Sequence, residues 1–159
     1  MEDWTLLIAF FGANLAVAVT GAVFLPGEWY ESLEKPPWTP PNWLFGPAWA
    51  LLYALIAYAG YRFTLDAQPG QLALPLTLYG LQLVFNGAWS VLFFGMKRMD
   101  LALIDAVLMF VAIAATMVAF YPVSPLAAVL LTPYLLWVGF ATALNYSIVR
   151  RNTPAKGVA

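Results

Sequence analysis

Through one long apolar stretch, Tyr79, Gln82, Asn86, Trp89 and Phe93 recur at intervals of three or four residues, which places a phenol, two amides and an indole on a single helical face. A second stretch repeats the arrangement with Tyr134, Trp137, Ala141 and Asn145. A third carries Trp49 and Tyr53, spaced by four, and the first carries Asn14 and Gly21, spaced by seven. An amide buried in hydrocarbon without a partner is costly, so these faces must meet other helices, water or a ligand. A tight bundle accounts for the amides, which can hydrogen-bond across helices. It accounts less well for the indoles, because membrane helices approach through small residues and Trp49, Trp89 and Trp137 hold backbones apart. A cavity accounts for both: indole faces would stack on a flat, apolar occupant while amides meet its polar rim.

Conventional hydrolysis or group transfer has no acid, base or nucleophile on these faces to carry it. The chain contains no His and no Cys, which removes the usual ligands for haem iron, zinc and copper, the commonest proton shuttle, and any disulfide or catalytic thiol. No metal site is expected. Net charge is −1 and no basic run occurs, so nothing neutralises a string of nucleic-acid phosphates. Asp105 is an intramembrane acid by strict counting, and a proton or cation site is the functional reading. One turn from the end of its span, it is expected instead to reach water or Lys97 and Arg98.

These residues need membrane helices to position them. The sequence is 63% hydrophobic and 9% charged, against roughly a quarter charged in soluble domains. A span takes about 20 apolar residues, and polar or Pro-rich breaks divide the chain into spans over residues 5–25, 45–64, 72–94, 101–120 and 126–149 of one domain, 1–159. The acidic Glu2 and Asp3 argue for a retained first helix rather than a secretory signal. The fourth span is the plainest and is placed at the periphery of any cavity. Five spans put Lys35, Lys97, Arg98, Arg150, Arg151 and Lys156 on one side and Arg62 alone near the other, which predicts that the Lys/Arg-rich side is cytoplasmic.

Between the first two spans, four Pro and three Trp crowd residues 28–43. Pro36-Pro37 and Pro40-Pro41 make stiff corners that present Trp38 and Trp43 at low entropic cost. A lid over one mouth of the bundle is the reading that uses them. An interfacial aromatic belt and a PxxP ligand for a soluble module are the alternatives.

Trp29-Tyr30, Leu33, Lys35-Pro36, Trp38, Pro40-Pro41, Phe45-Gly46-Pro47, Trp49 and Tyr53 resemble the first-loop and second-helix signature of the TspO/translocator family of tryptophan-rich sensory proteins. Gln82-Leu83, Asn86, Trp89 and Phe93-Phe94 resemble its third-helix pattern, and Pro133-Tyr134, Trp137, Ala141-Thr142 and Leu144-Asn145 its fifth. The resemblance implies a five-helix, commonly dimeric membrane bundle that binds protoporphyrin IX and related tetrapyrroles, sterols and isoquinoline carboxamides under the first loop. Its pocket residues would be Tyr30, Trp38, Trp49, Tyr53, Asn86, Trp89, Trp137, Ala141 and Asn145. Trp49 and Trp137 match residues implicated in light-dependent porphyrin breakdown. Leu144, Tyr146 and Arg150 fit the sterol pattern L/V-x₁₋₅-Y-x₁₋₅-K/R where the family carries it, although an interfacial Tyr followed by a snorkelling Arg is common at span ends.

Three functions follow. The first is a receptor, sensor or carrier that binds tetrapyrroles or other planar lipids, requires no cofactor, and holds haem, if at all, without a strong axial ligand. The second is a protoporphyrin-degrading enzyme driven by light through Trp49 or Trp137. The third is a structural or regulatory membrane partner, with Gly139 and Ala143, or Ala102 and Ala106, seating another helix.

Overall fold

The computed structural model describes residues 4–153. Glu2, Asp3, Pro154 and Lys156 lie outside the described residues. Within them the chain is helical: α1 Trp4–Val23, α2 Glu28–Glu31, α3 Asn42–Asp66, α4 Ala73–Ser90, α5 Met99–Phe120, α6 Pro125–Leu130 and α7 Thr132–Asn152. Five helical segments are long and apolar enough to cross a membrane, α6 and α7 forming the fifth together. The chain is thus an all-α, multi-pass membrane protein.

Where helices depart from the expected spans, Pro and Gly explain most of it. α3 starts at Asn42, ahead of residue 45, because Pro41 already holds extended backbone at the cap, and Pro47, inside the helix, forgoes the one bond its nitrogen would have donated. The last span breaks at Leu131, since Pro133 sits in the first turn of α7 and cannot donate to the preceding helix. α4 widens into a single π-helical stretch, Val91–Gly95, whose end is closed by Met96 N–H on the Val91 carbonyl at 2.7 Å. Phe93 and Phe94 lie within this wider turn.

α1 packs on α3 and α4, α5 on α4 and α7, and α6 on α3 and α5. Only Asn14 of α1 is fully buried; Phe10 and Val17 pack partly buried against the core, and Ile8, Phe11, Leu15 and Val19 are exposed on its outer face. α3 and α7 share few close backbone approaches and are bridged chiefly by rings.

At the end where α3 finishes and α4 begins, the bundle is sealed. Phe63 and Phe120 stack 4.0 Å apart at 4°, and Phe10 meets Tyr79 edge-on at 5.4 Å. Gly60 lies against these rings so closely that a Cβ there would fall 2.5 Å from Phe10. Arg62 pairs with Asp66 at 2.9 Å, and the Ser124 hydroxyl donates to the same carboxylate at 2.5 Å, tying α3 to the start of α6.

At the other end the first loop folds back over the bundle. α2 buries Tyr30 against Phe93 and Phe94, and Trp29 meets Phe93 edge-on at 5.7 Å. The Glu34 backbone exchanges two hydrogen bonds of 2.9 Å with the Asn152 side chain, so the loop is pinned to the end of α7. Lys35 places its ammonium 4.5 Å from the Tyr30 ring centre. Burial, and secondarily the Glu31 carboxylate, push the Tyr30 phenol above its ordinary value, which keeps it neutral.

Candidate functional site

Two aromatic stripes face each other near the loop-covered end. On α3, Phe45, Trp49 and Tyr53 stand four apart; on α7, Tyr134 and Trp137 answer them. Trp49 tilts against Tyr53 at 5.3 Å and meets Tyr134 edge-on at 6.2 Å, while Phe45 meets Trp137 edge-on at 5.8 Å. The line continues outward from Trp137 to Phe140 at 5.9 Å and from Phe140 to Trp38 of the loop at 5.7 Å. Rings thus run from Phe45 and Trp137 through Phe140 to a Trp38 that is half exposed, with Trp49, Tyr53 and Tyr134 forming a second set deeper in the same core. Trp89, on α4, stacks on Phe93 at 4.9 Å and joins this core to the Tyr30 cluster.

The amides of the stripes do hydrogen-bond across helices. The Tyr53 hydroxyl donates to Asn86 Oδ1 at 2.7 Å, Asn86 Nδ2 donates to the Tyr134 hydroxyl at 2.8 Å, and Tyr134 donates to Gln82 Oε1 at 2.8 Å. A separate pair serves the sealed end, where Asn14 Nδ2 donates to Tyr79 Oη at 2.8 Å and the Tyr79 hydroxyl donates to the Ile56 carbonyl at 3.1 Å. The seam is not fully satisfied. Trp137 Nε1 and Gln82 Nε2 are buried and lack an acceptor among the described residues. Leaving such a donor unpaired costs roughly 1–3 kcal/mol.

Of the sequence-derived site residues, the fold gathers Trp49, Tyr53, Asn86, Trp89 and Trp137 in one core, with Tyr30 and Trp38 above it. Ala141 lies one turn beyond Trp137, half-buried. Asn145 has other neighbours. With its amide oriented as its surroundings demand, it donates to the Met99 carbonyl at 3.2 Å and accepts from Leu103 N–H at 3.0 Å, fastening the first turn of α5. Trp43, one of the two indoles the loop was expected to present, stands 71% exposed at the start of α3 and faces away from the rings. Leu144 is buried beside Tyr30, whereas Tyr146 and Arg150 are exposed on the opposite face of α7, so the sterol pattern does not form one surface. Tyr134, Gln82 and Phe140 join the site beyond the residues that the resemblance implies. Tyr134 and Gln82 stand in the stripes, and Phe140 follows Trp137 by three, a helical spacing on the same side.

Asp105 corrects an expectation. Arg98 is occupied by Asp100, at 2.8 and 2.7 Å, and Asp105 is 6% exposed with Oδ2 unpartnered among the described residues. Helix α5 faces α4 and α7 on this side, so the first turn after Met99 is already inside the bundle. The small residues are spent inside as well: Ala102 and Ala106 are buried, and a Cβ at Gly139 would meet the Phe110 ring at 3.2 Å. Among the described residues no group of three or more His, Cys, Asp or Glu could hold a metal ion.

The model of the TspO/MBR family matches residues 5–151. A tryptophan-rich sensory protein of Cereibacter sphaeroides is 45% identical over 150 residues, covering 94% of this chain and 93% of the relative. The CrtK protein of Rhodobacter capsulatus is 39% identical over 97% of both chains. The human translocator protein is 43% identical over 97% of this chain and 94% of its own.

Proposed function

The chain belongs to the TspO/MBR family, and on that premise we propose that it is a membrane receptor, sensor or carrier that binds protoporphyrin IX and other planar apolar ligands in the seam between α3, α4 and α7. The observation that carries this reading is the pair of unsatisfied buried donors, Trp137 Nε1 and Gln82 Nε2, beside a continuous run of rings that opens at Trp38. A tetrapyrrole would part the edge-to-face rings, stack on Trp49 and Trp137, and offer acceptors at its rim to both donors. No iron ligand is needed for a metal-free macrocycle, and no His or Cys is present to supply one. Sterols and isoquinoline carboxamides share the flat apolar body. A sterol on the L/V-Y-K/R pattern would touch Tyr146 and Arg150 but not Leu144. The Lys/Arg-rich end faces the cytoplasm in this reading, and a homodimer is its working assembly.

A light-driven porphyrin-degrading enzyme is the second reading, favoured by Trp49 of α3 and Trp137 of α7 packing against the same buried core. One experiment addresses both. Saturable tryptophan quenching by protoporphyrin IX in the dark, weakened by Trp49→Phe and Asn86→Ala, supports binding, and absence of saturation in folded protein refutes it. Loss of the Soret band under illumination, abolished by Trp49→Phe or Trp137→Phe at full occupancy, raises enzyme above carrier.

A further inference from the structure

The last two turns of α7 carry Ala143, Tyr146, Ser147 and Arg150 on one face, at helical spacings of three and four, opposite the buried Leu144 and Ile148. That outward face, together with Arg151 and Trp38 of the loop, lines a cavity of about 370 Å³ on the outside of the bundle. Arg150 donates to the Tyr146 hydroxyl at 3.1 Å and lies 5.9 Å from its ring centre, and Arg151 donates to Ser147 Oγ at 3.4 Å. Each guanidinium is therefore tethered by the residue four positions before it and keeps the rest of its donor fork for an outside acceptor. Among the described residues no carboxylate lies within ion-pair distance of either arginine. Glu34 of the pinned loop meets Asn152 through its backbone.

We infer that this groove is a binding site for one anionic phospholipid, its phosphate on Arg150 and Arg151 and an acyl chain descending past Tyr146 and Ala143 against the Trp38 ring. Three features select that occupant. The charge is doubly positive, with no ion-pair partner among the described residues, which a neutral sterol does not use. The order of groups along α7 runs from guanidinium through hydroxyl to methyl toward the membrane centre, matching headgroup, glycerol and chain. An aromatic wall flanks the point where headgroup gives way to hydrocarbon, where Trp and Tyr are most at home. Because Trp38 also touches Phe140, a lipid seated here would hold the outermost ring of the internal seam in place. The site is independent of the tetrapyrrole reading, since none of the seam's hydrogen-bonding groups takes part in it.

The test uses the full chain in phosphatidylcholine vesicles that contain a small fraction of brominated phosphatidylglycerol or, in the parallel arm, of brominated phosphatidylcholine. Quenching attributable to Trp38 is obtained by subtracting the Trp38→Phe protein. Enrichment of the anionic lipid at Trp38 on the order of tenfold is expected from two basic side chains at the membrane surface. The Arg150→Gln/Arg151→Gln protein should lose that excess, and Lys97→Gln, which removes a charge at the same end away from the groove, should keep it. The exposed Arg151→Gln change alone should lose part of the excess if the double variant fails to fold. Equal quenching by the two headgroups overturns the proposal, as does an excess that survives in the arginine variants. Headgroup-independent protection of Trp38 that grows with protein density would place a second copy of the chain in the groove and equally overturn it.

Discussion

The two ends of this bundle are built from the same residue types and behave differently. At the sealed end Phe63 lies flat on Phe120 at 4.0 Å, Phe10 closes edge-on over Tyr79, glycine admits the rings at contact distance, and the Tyr79 hydroxyl both donates and accepts, while Asn14 Oδ1 and Arg62 Nε lack partners among the described residues. At the loop end the pairs that join α3 to α7 and α7 to Trp38 meet edge-on at 5.7 to 6.2 Å, two buried donors have no acceptor among the described residues, and the outermost indole is half exposed. Aromatic content therefore does not by itself make a site. What separates the two ends is that the loop-end rings reach the surface and that an unpaired indole donor lies on their line.

Substitutions should widen or erase that contrast. The largest effect is expected at the sealed end, where Gly60→Leu drives a side chain into Phe10 and Tyr79 and should cost about 3 kcal/mol or more, read as a fall in thermal midpoint in detergent. Asn86→Ala leaves the Tyr53 and Tyr134 hydroxyls without their bridge and should cost about 2 kcal/mol in the same assay, together with weaker porphyrin quenching. Trp137→Phe removes a donor that is already unsatisfied, so stability should change by less than about 1 kcal/mol while ligand affinity falls. Trp38→Ala should leave the thermal midpoint nearly unmoved and speed both association and release of ligand in stopped-flow quenching, because it trims the half-exposed ring at the mouth.

Most of the fold was legible because spans need long apolar runs and Pro-rich breaks punctuate them. The helical period likewise placed Gln82 and Asn86 inside, on the face that also carries Tyr79 and Phe93. What the period could not supply was partner choice. Asn145 shares a stripe with Trp137, yet its amide is spent on α5, because the two lie two turns apart on α7 and meet different neighbours. The Asp105 environment was misjudged for the same reason: depth along a helix was countable, but the covering by α4 and α7 was not. The break at Leu131 had a visible cause in Pro133, whereas the widened turn at Val91–Gly95 had none in residue type.

The central claim is that a flat ligand occupies the loop end and not the sealed end. It is tested most directly by the dissociation constant of protoporphyrin IX, measured by dark quenching titration on Trp137→Phe and on Tyr79→Phe. One ligand hydrogen bond lost at Trp137 should weaken binding roughly tenfold, and the sealed-end change should leave it within about twofold. Equal weakening by both variants, or a larger loss in Tyr79→Phe, would contradict the account.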